Sequence, residues 1–234
     1  MSLQLAAQRI VSHLNQIIQM AQHTTAGLAQ DISTILRTSK TTRLNQEQAE
    51  ALKSKVFYRL SLDPWAQGAG FADYQAPPSM VEDEFWLLKW WIREKGVIVA
   101  QEIELNQNAA QFFDFTERDW FQKPKTAHVT YIEGPYIDFL CNRSFALTVA
   151  SPVLVGEQFR GVAAADLLVS TIETELRDAL IQLECPAIIV NHRGRVLTST
   201  APRIRPGMLW KPSTEAAAVF RAVLPFQLVL LKEK

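Results

Sequence analysis

A heptad-spaced stripe of apolar residues near the N-terminus constrains the fold of this 234-residue chain most strongly. Over residues 3–35, apolar side chains recur at the spacing of one helix face: Leu3, Ala7, Ile10, Leu14, Ile17, Ala21, Leu28 and Ile35. The other faces carry mainly Gln, Asn, His and Ser, with few charged residues. The pattern predicts one long amphipathic helix, whose stripe is buried against its own domain, against the same helix of a second copy, or both.

Charge and hydropathy narrow the class of protein. The chain carries 24 Lys and Arg residues against 24 Asp and Glu residues, so its formal net charge is +0 at pH 7. Without a net field that would attract a polyanion, nucleic acid is not expected as a direct partner. Apolar residues make up 48% of the chain, and no run of about 18 apolar residues occurs. The sequence therefore predicts a folded domain without a membrane segment.

The sequence lacks the usual signatures of catalytic and metal sites. Its two cysteines, Cys141 and Cys185, form no C-x-x-C pair, and its histidines lack metal-ligand spacing. No G-x-S-x-G, H-E-x-x-H or phosphate-binding glycine loop occurs. We therefore predict no catalytic residue, no metal and no cofactor. Cys141 and His128 are the one thiol and imidazole combination in the central segment, and an enzyme built on them ranks third among the candidate functions.

A second helix and a first strand are predicted after the long helix. Polar residues at 37–42 interrupt the apolar stripe. Asn45 and Gln48 have the spacing of a capping box, which predicts that a helix begins there and continues to residue 60. A Gly- and Pro-rich stretch follows, with a short strand at residues 70–74.

Alternating apolar and polar residues predict an antiparallel sheet in the middle of the chain. An aromatic group precedes it: Phe85, Trp86, Trp90 and Trp91. The predicted strands are residues 97–105, 127–132, 144–154 and 159–166. A turn at residues 155–158 joins the last two strands as a hairpin. Ser170 and Glu173 have capping-box spacing, which predicts a helix that begins at Ser170 and ends at Pro186.

The C-terminal segment is too short for an independent catalytic domain, and we interpret it as a reduced second module. Its predicted elements are strands at 187–190 and 195–200 around a turn, a short helix at 213–222 and a closing strand at 226–231. The fold class is therefore α+β. The expected organisation is a helical segment at 1–60, a ligand-binding module at 61–169, and a connecting helix with the second module at 170–234.

Four local patterns, in this order, resemble the Cache group of extended PAS-like sensor domains. Residues 113–121 look like the aromatic, Arg-x-Trp-aromatic segment of that family, and residues 134–138 resemble its Pro-Tyr-x-Asp element. Residues 145–166 are similar to its hairpin, which ends in Gly-Val-x-x-x-Asp. Residues 190–196 resemble the turn of its second module. The resemblance implies a PAS-like antiparallel sheet packed on the long helix.

The resemblance also implies a set of ligand-contacting residues. Amino-acid-binding members carry Tyr, Arg, Trp, Tyr, Tyr, Asp and a distal Asp in the corresponding positions. This sequence has the following residues there: Phe113, Arg118, Trp120, Phe121, Tyr136, Asp138 and Asp166. Two tyrosines have thus become phenylalanine, which removes two hydroxyl groups that could bind a ligand.

The chemistry of these residues suits a small charged molecule. Arg118 offers a planar fork of donors for a carboxylate, and Asp138 and Asp166 would hold an ammonium group. Trp120 and Tyr136 would wall the site and attract a cation through their ring faces. The expected ligand is an amino acid, an amine or a carboxylate.

Each of these residues could also have a purely structural role. Asp166 could stabilise the N-terminus of the helix that follows it. Arg118 could pair with Glu117 or Asp119 at the surface. The aromatic residues could belong to the core: Phe113, Trp120, Phe121 and Tyr136.

The resemblance implies a sensor that transmits ligand occupancy through its first helix to a signalling or transcriptional partner, such as a regulator or a kinase. A homodimer through that helix is expected. The second candidate function is a ligand-free dimerisation or docking module, in which the chain's own aromatic residues fill the pocket. Residues 68–71, 90–91 and 135–141 look like those of stand-alone cytoplasmic Cache proteins, which predicts a cytoplasmic location. The second possibility for location is an extracytoplasmic sensor domain of a membrane receptor.

Overall fold

The computed structural model describes residues 2–37, 44–75, 85–109, 112–138, 144–212, 216–223 and 225–232. Within these residues, four α-helices accompany one sheet of six strands and one of four, so the predicted α+β class is confirmed. The helices are α1 Leu3–Arg37, α2 Gln46–Leu62, α3 Asp119–Ala127 and α4 Val169–Ile181. The strands are β1 Ala66–Gln75, β2 Phe85–Glu94, β3 Val97–Gln101, β4 Tyr131–Ile137, β5 Phe145–Val155, β6 Gln158–Leu168, β7 Ala187–Asn191, β8 Val196–Ser199, β9 Ala216–Arg221 and β10 Phe226–Leu231.

The chain divides into two compact units. The described residues of the first unit fall within 21–133 and 148–166, and those of the second within 1–20, 134–147 and 167–234. The six-stranded sheet has the order β3-β2-β1-β6-β5-β4, and the four-stranded sheet has the order β8-β7-β10-β9. Strands β5 and β6 are neighbours joined by Gly156 and Glu157, which is the predicted hairpin.

The apolar stripe of α1 is buried within the single chain. Its members Ala7, Ile10, Leu14, Ile17, Ala21 and Leu28 all have 0% exposure, whereas Leu3 is 48% exposed. The predicted burial against the protein itself is therefore confirmed, because these side chains are already removed from water. A homodimer through α1 stays a prediction.

The core of the first unit explains why α1 and α2 lie beside a sheet. Leu28 and Ile32 of α1 cluster with Leu52 and Val56 of α2. The same cluster contains buried residues of the sheet: Ala66, Ala69, Phe71, Trp91, Val153, Ala163 and Ala165. The capping box predicted for α2 is present, since Asn45 Oδ1 accepts from Gln48 N and Gln48 Oε1 accepts from Asn45 N.

Two predicted helix signals in the second unit are wrong. Helix α4 begins at Val169 after Leu168, without a side-chain cap, and ends at Ile181 rather than at Pro186. The helix starts one residue before Ser170, directly after β6, so the Ser170 hydroxyl does not cap it. The Glu173 carboxylate instead accepts a hydrogen bond from Thr198 Oγ1 at 3.3 Å, and burial raises its pKa.

The helix predicted for residues 213–222 is also wrong over its described part. Residues 216–221 form strand β9, and Val219 pairs with Val229 of β10. Alanine-rich sequence favours a helix, but cross-strand pairing against a buried neighbour overrides that weak preference. The core beneath this sheet contains Ile188, Val190, Val196, Val229 and Leu231.

Two strand boundaries in the centre also differ from the prediction. Residues 119–127 form α3, which ends at His128 with a left-handed backbone (φ +54°), so the strand predicted at 127–132 begins only at Tyr131. The strand predicted at 97–105 ends at Gln101. Because α3 begins at Asp119, Arg118 lies directly before the N-terminus of this helix.

Candidate functional site

The N-terminus of α3 binds a carboxylate of the chain itself. Arg118 Nη2 donates to Glu133 Oε1 at 2.7 Å, and the backbone N of Trp120 donates to Glu133 Oε2 at 2.8 Å. The Glu133 side chain is 14% exposed and that of Arg118 is 33% exposed. A charged donor and a helix N-terminus both stabilise an anion, so the two oxygens are held by complementary partners.

Local sequence explains how Arg118 reaches this position. A 3-10 turn at Phe115–Glu117 precedes it, and Asp114 Oδ1 accepts from Thr116 N at 2.8 Å to begin that turn. Phe115 is fully buried and anchors the turn. Arg118 then has an extended backbone between the turn and α3, so its side chain extends from the chain directly before the N-terminus of the helix.

An aromatic cluster lies behind α3. Phe121 is fully buried, and its ring contacts those of Phe115 and Phe159 with centre distances of 5.2 and 5.8 Å. Trp120 is 5% exposed, and its ring stacks on Phe115 at 6.0 Å. A tyrosine hydroxyl at position 121 would need a buried hydrogen-bond partner, which gives a physical reason for phenylalanine there. Phe113 is half-buried.

Asp166 lies on β6, beside β5 in the six-stranded sheet. The residue is 5% exposed, and its Oδ1 accepts a hydrogen bond from Thr148 Oγ1 at 2.6 Å. Thr148 and Asp166 therefore lie on one face of the sheet. Thr130, directly before β4, and Ser151 of β5 bond side chain to side chain at 2.8 Å.

The remaining two residues of the predicted set belong to the second unit. Tyr136 is half-buried on β4. Asp138 is 4% exposed, and its backbone N donates to Ser144 O at 2.9 Å. Their roles as ligand contacts stay predictions from the sequence.

Sequence reasoning did not identify Glu133 or Thr148. Glu133 directly precedes the Gly134-Pro135-Tyr136 element, so its position beside a motif was the available signal. The expected partners of Arg118 were a ligand or its chain neighbours Glu117 and Asp119. The structure adds Glu133, 15 residues away along the chain, which the packing of α3 on β4 brings to Arg118.

A separate groove of about 450 Å³ lies in the first unit, along the C-terminal half of α1. Ser33, Thr34 and Arg37 line one side, and Thr130 and Ser151 line the other. Ser33 Oγ donates to Leu154 O at 2.6 Å, so part of the polar lining is used to attach α1 to β5.

His128 is one of the two residues, with Cys141, on which an enzymatic function would depend. The His128 ring stacks on Phe159 with 6.5 Å between ring centres, and Cys141 lies outside the described residues.

Over the part of the chain that the structure describes, no three His, Cys, Asp or Glu side chains are grouped so that they could hold a metal ion. None of the described helices combines the length and apolar character needed to cross a membrane.

No family model and no curated protein matches the sequence. Among solved structures, the periplasmic sensory domain of the Campylobacter jejuni chemoreceptor Tlp1 is similar with a TM-score of 0.67 and 14% identity, over 96% of this chain and 90% of that one. The chain has the fold of bacterial sensory domains.

Two further sensory domains were solved with amino acids. The ligand-binding domain of the Pseudomonas fluorescens chemoreceptor CtaA, in complex with L-valine, has a TM-score of 0.62 at 13% identity and covers 98% of this chain and 94% of its own. The sensory domain of the Campylobacter jejuni chemoreceptor Tlp3, with isoleucine bound, has a TM-score of 0.62 at 11% identity over 97% and 89%. The sensory-domain fold implied by the Cache resemblance is thereby confirmed, and these neighbours are ligand-binding domains rather than enzymes.

Proposed function

We propose that this chain is a sensory domain that binds a small charged molecule near the N-terminus of α3. The observation that carries the proposal is the convergence of the Arg118 guanidinium and the Trp120 N–H on one carboxylate. This anion-binding arrangement lies at the motif positions where the Cache resemblance expects a ligand, in a chain with the sensory-domain fold. The ligand class is an amino acid, an amine or a carboxylate.

The proposed contacts are the seven residues of the sequence motif: Phe113, Arg118, Trp120, Phe121, Tyr136, Asp138 and Asp166. Arg118, Trp120 and Asp166 are supported by the geometry of the first unit. Tyr136 and Asp138 are included because of their order in the motif. Burial of Phe121 favours a role in shaping the wall rather than in direct polar contact.

Occupancy would be transmitted through α1 to a regulator or kinase, with a homodimer as the signalling form. For such a switch, the ligand must bind two arrangements of the protein with different affinities, because tight binding alone shifts nothing. The structural neighbours favour an extracytoplasmic location, since the Tlp1 domain is periplasmic. We adopt that location over the cytoplasmic one.

A thermal-shift screen of amino acids, amines and carboxylates tests the proposal. A ligand at 100 times its dissociation constant should stabilise the protein by about 2.7 kcal/mol. Asp166→Asn should abolish the shift, because it removes a buried negative charge without changing side-chain size. Asp178→Asn, on an exposed position of α4, is the matched control and should keep the shift. An undiminished shift in Asp166→Asn would show that this carboxylate does not hold the ligand.

A further inference from the structure

Glu133 occupies the place that a ligand carboxylate would take on Arg118. We infer that Glu133 determines the specificity of the proposed site: it fills the anion position at α3 and thereby selects cationic ligands that lack a carboxylate, such as amines, over amino acids. The inference rests on the proposed function and narrows its ligand class.

The geometry of the pair makes displacement by a ligand unfavourable. Both Glu133 oxygens are bound, one by the Arg118 side chain at 2.7 Å and one by the Trp120 N–H at 2.8 Å. The Glu133 side chain is mostly buried, so a displaced carboxylate would lose two charge-assisted bonds while remaining in a poorly solvated place. An incoming carboxylate would gain the same two bonds that Glu133 gives up.

Asp166 adds a second argument against a ligand carboxylate. Asp166 is 5% exposed on β6, which lies two strands from β4, the strand that carries Glu133. Because Arg118 is already paired with Glu133, a ligand carboxylate near Asp166 would meet a like charge, which raises the cost of binding. An ammonium group is attracted by the Asp166 carboxylate, and the Trp120 ring can add a cation–π contact.

A purely structural role for Glu133, fastening α3 to β4, predicts no preference between ligand classes. Matched pairs that differ only in the α-carboxylate separate the two roles: L-lysine and cadaverine, L-ornithine and putrescine, L-histidine and histamine, and L-valine and isobutylamine. Calorimetric titration of the wild-type protein should give at least tenfold tighter binding of the amine in any pair that binds. Glu133→Ala should shift that ratio at least tenfold toward the amino acid. Glu117→Ala, an exposed neighbour of Arg118, should leave it unchanged.

A second measurement needs no ligand and tests whether the place of the Glu133 carboxylate binds an anion. Glu133→Ala should be less stable than wild type and should regain thermal stability in sodium acetate, compared with sodium chloride at equal ionic strength. The double variant Arg118→Ala/Glu133→Ala should gain nothing from acetate. Failure of acetate to rescue Glu133→Ala overturns the inference.

The outcomes separate failure of the inference from failure of the proposed function. Equal binding of both members of a pair, or tighter binding of the amino acid by the wild type, overturns the inference and leaves the proposed function in place. Binding of no member to either protein counts against both. If Glu133→Ala does not fold, the wild-type ratio alone decides.

Discussion

At the residue scale, Asp73 links stability to pH. It is 3% exposed, and burial raises its pKa to about 6, although the Gln75 amide and the nearby Arg160 act in the opposite direction. Arg160 Nη2 is itself buried and has no hydrogen-bond acceptor among the described residues, so the cation compensates only in part. The native state consequently binds a proton more tightly than the unfolded chain does.

The expected consequence is a loss of stability as pH rises from about 4 to about 6. In this window the folded protein holds more protons than the unfolded chain, so raising the pH favours unfolding, by about 3 kcal/mol at most. Asp73→Asn has no charge to bury and should be more stable than wild type at pH 8 and similar at pH 4. Urea denaturation at both values measures this, and parallel pH profiles of the two proteins would contradict it.

Gly161 of β6 is a second residue whose identity the structure explains. Its φ is +118°, and an added Cβ would lie 2.3 Å from Ala72 O. Gly161→Ala should therefore cost about 1–3 kcal/mol from backbone strain alone, with a further cost from the clash. Gly156→Ala, at φ +63° with no atom within 4 Å of an added Cβ, is the control that carries strain without a clash. Equal unfolding free energies for the two variants would show that β1 yields to the added methyl group.

At the scale of elements, helix caps distinguish α2 from α4. Both helices were predicted to begin at a capping box, and only α2 has one. Asn45→Ala should lower the free energy of unfolding by about 1 kcal/mol, because an N–H of the first turn loses its acceptor. Ser170→Ala should change it by less than about 0.5 kcal/mol. Chemical denaturation measures both, and a larger effect at Ser170 would mean that its hydroxyl has a role beyond the helix cap.

At the scale of the whole molecule, a substitution in the α1 stripe distinguishes burial within one chain from burial against a second copy. Leu28 is fully buried in the first unit's core. Leu28→Ala should cost about 2–5 kcal/mol through lost burial and the cavity left behind. The loss should be independent of protein concentration, since the contacts are within one chain. Leu3→Ala, at an exposed position, should have little effect. A destabilisation by Leu28→Ala that weakens as protein concentration rises would instead show that a second copy covers the stripe.

The share of features that the sequence predicted differs between the fold and the candidate site. The α1 stripe, the Asn45 cap and the hairpin at Gly156 were predictable, because each depends on residues a few positions apart in the chain. The helix expected at 213–222 failed because pairing with β10 overrides local preference. For the site, the motif located Arg118, Trp120 and Asp166, and their binding roles remain proposals.

The sequence by itself determined the α+β class, the amphipathic first helix and the positions of the motif residues, since periodicity and local hydrogen bonding are encoded by near neighbours. Only the tertiary structure decided what those residues contact. Arg118 is 15 residues from Glu133, and Thr148 is 18 residues from Asp166, and in both cases the pair exists because separate elements pack together. The sequence motif identified Arg118 and Trp120 as candidate site residues. Their hydrogen bonds to Glu133 depend on how α3 packs against β4.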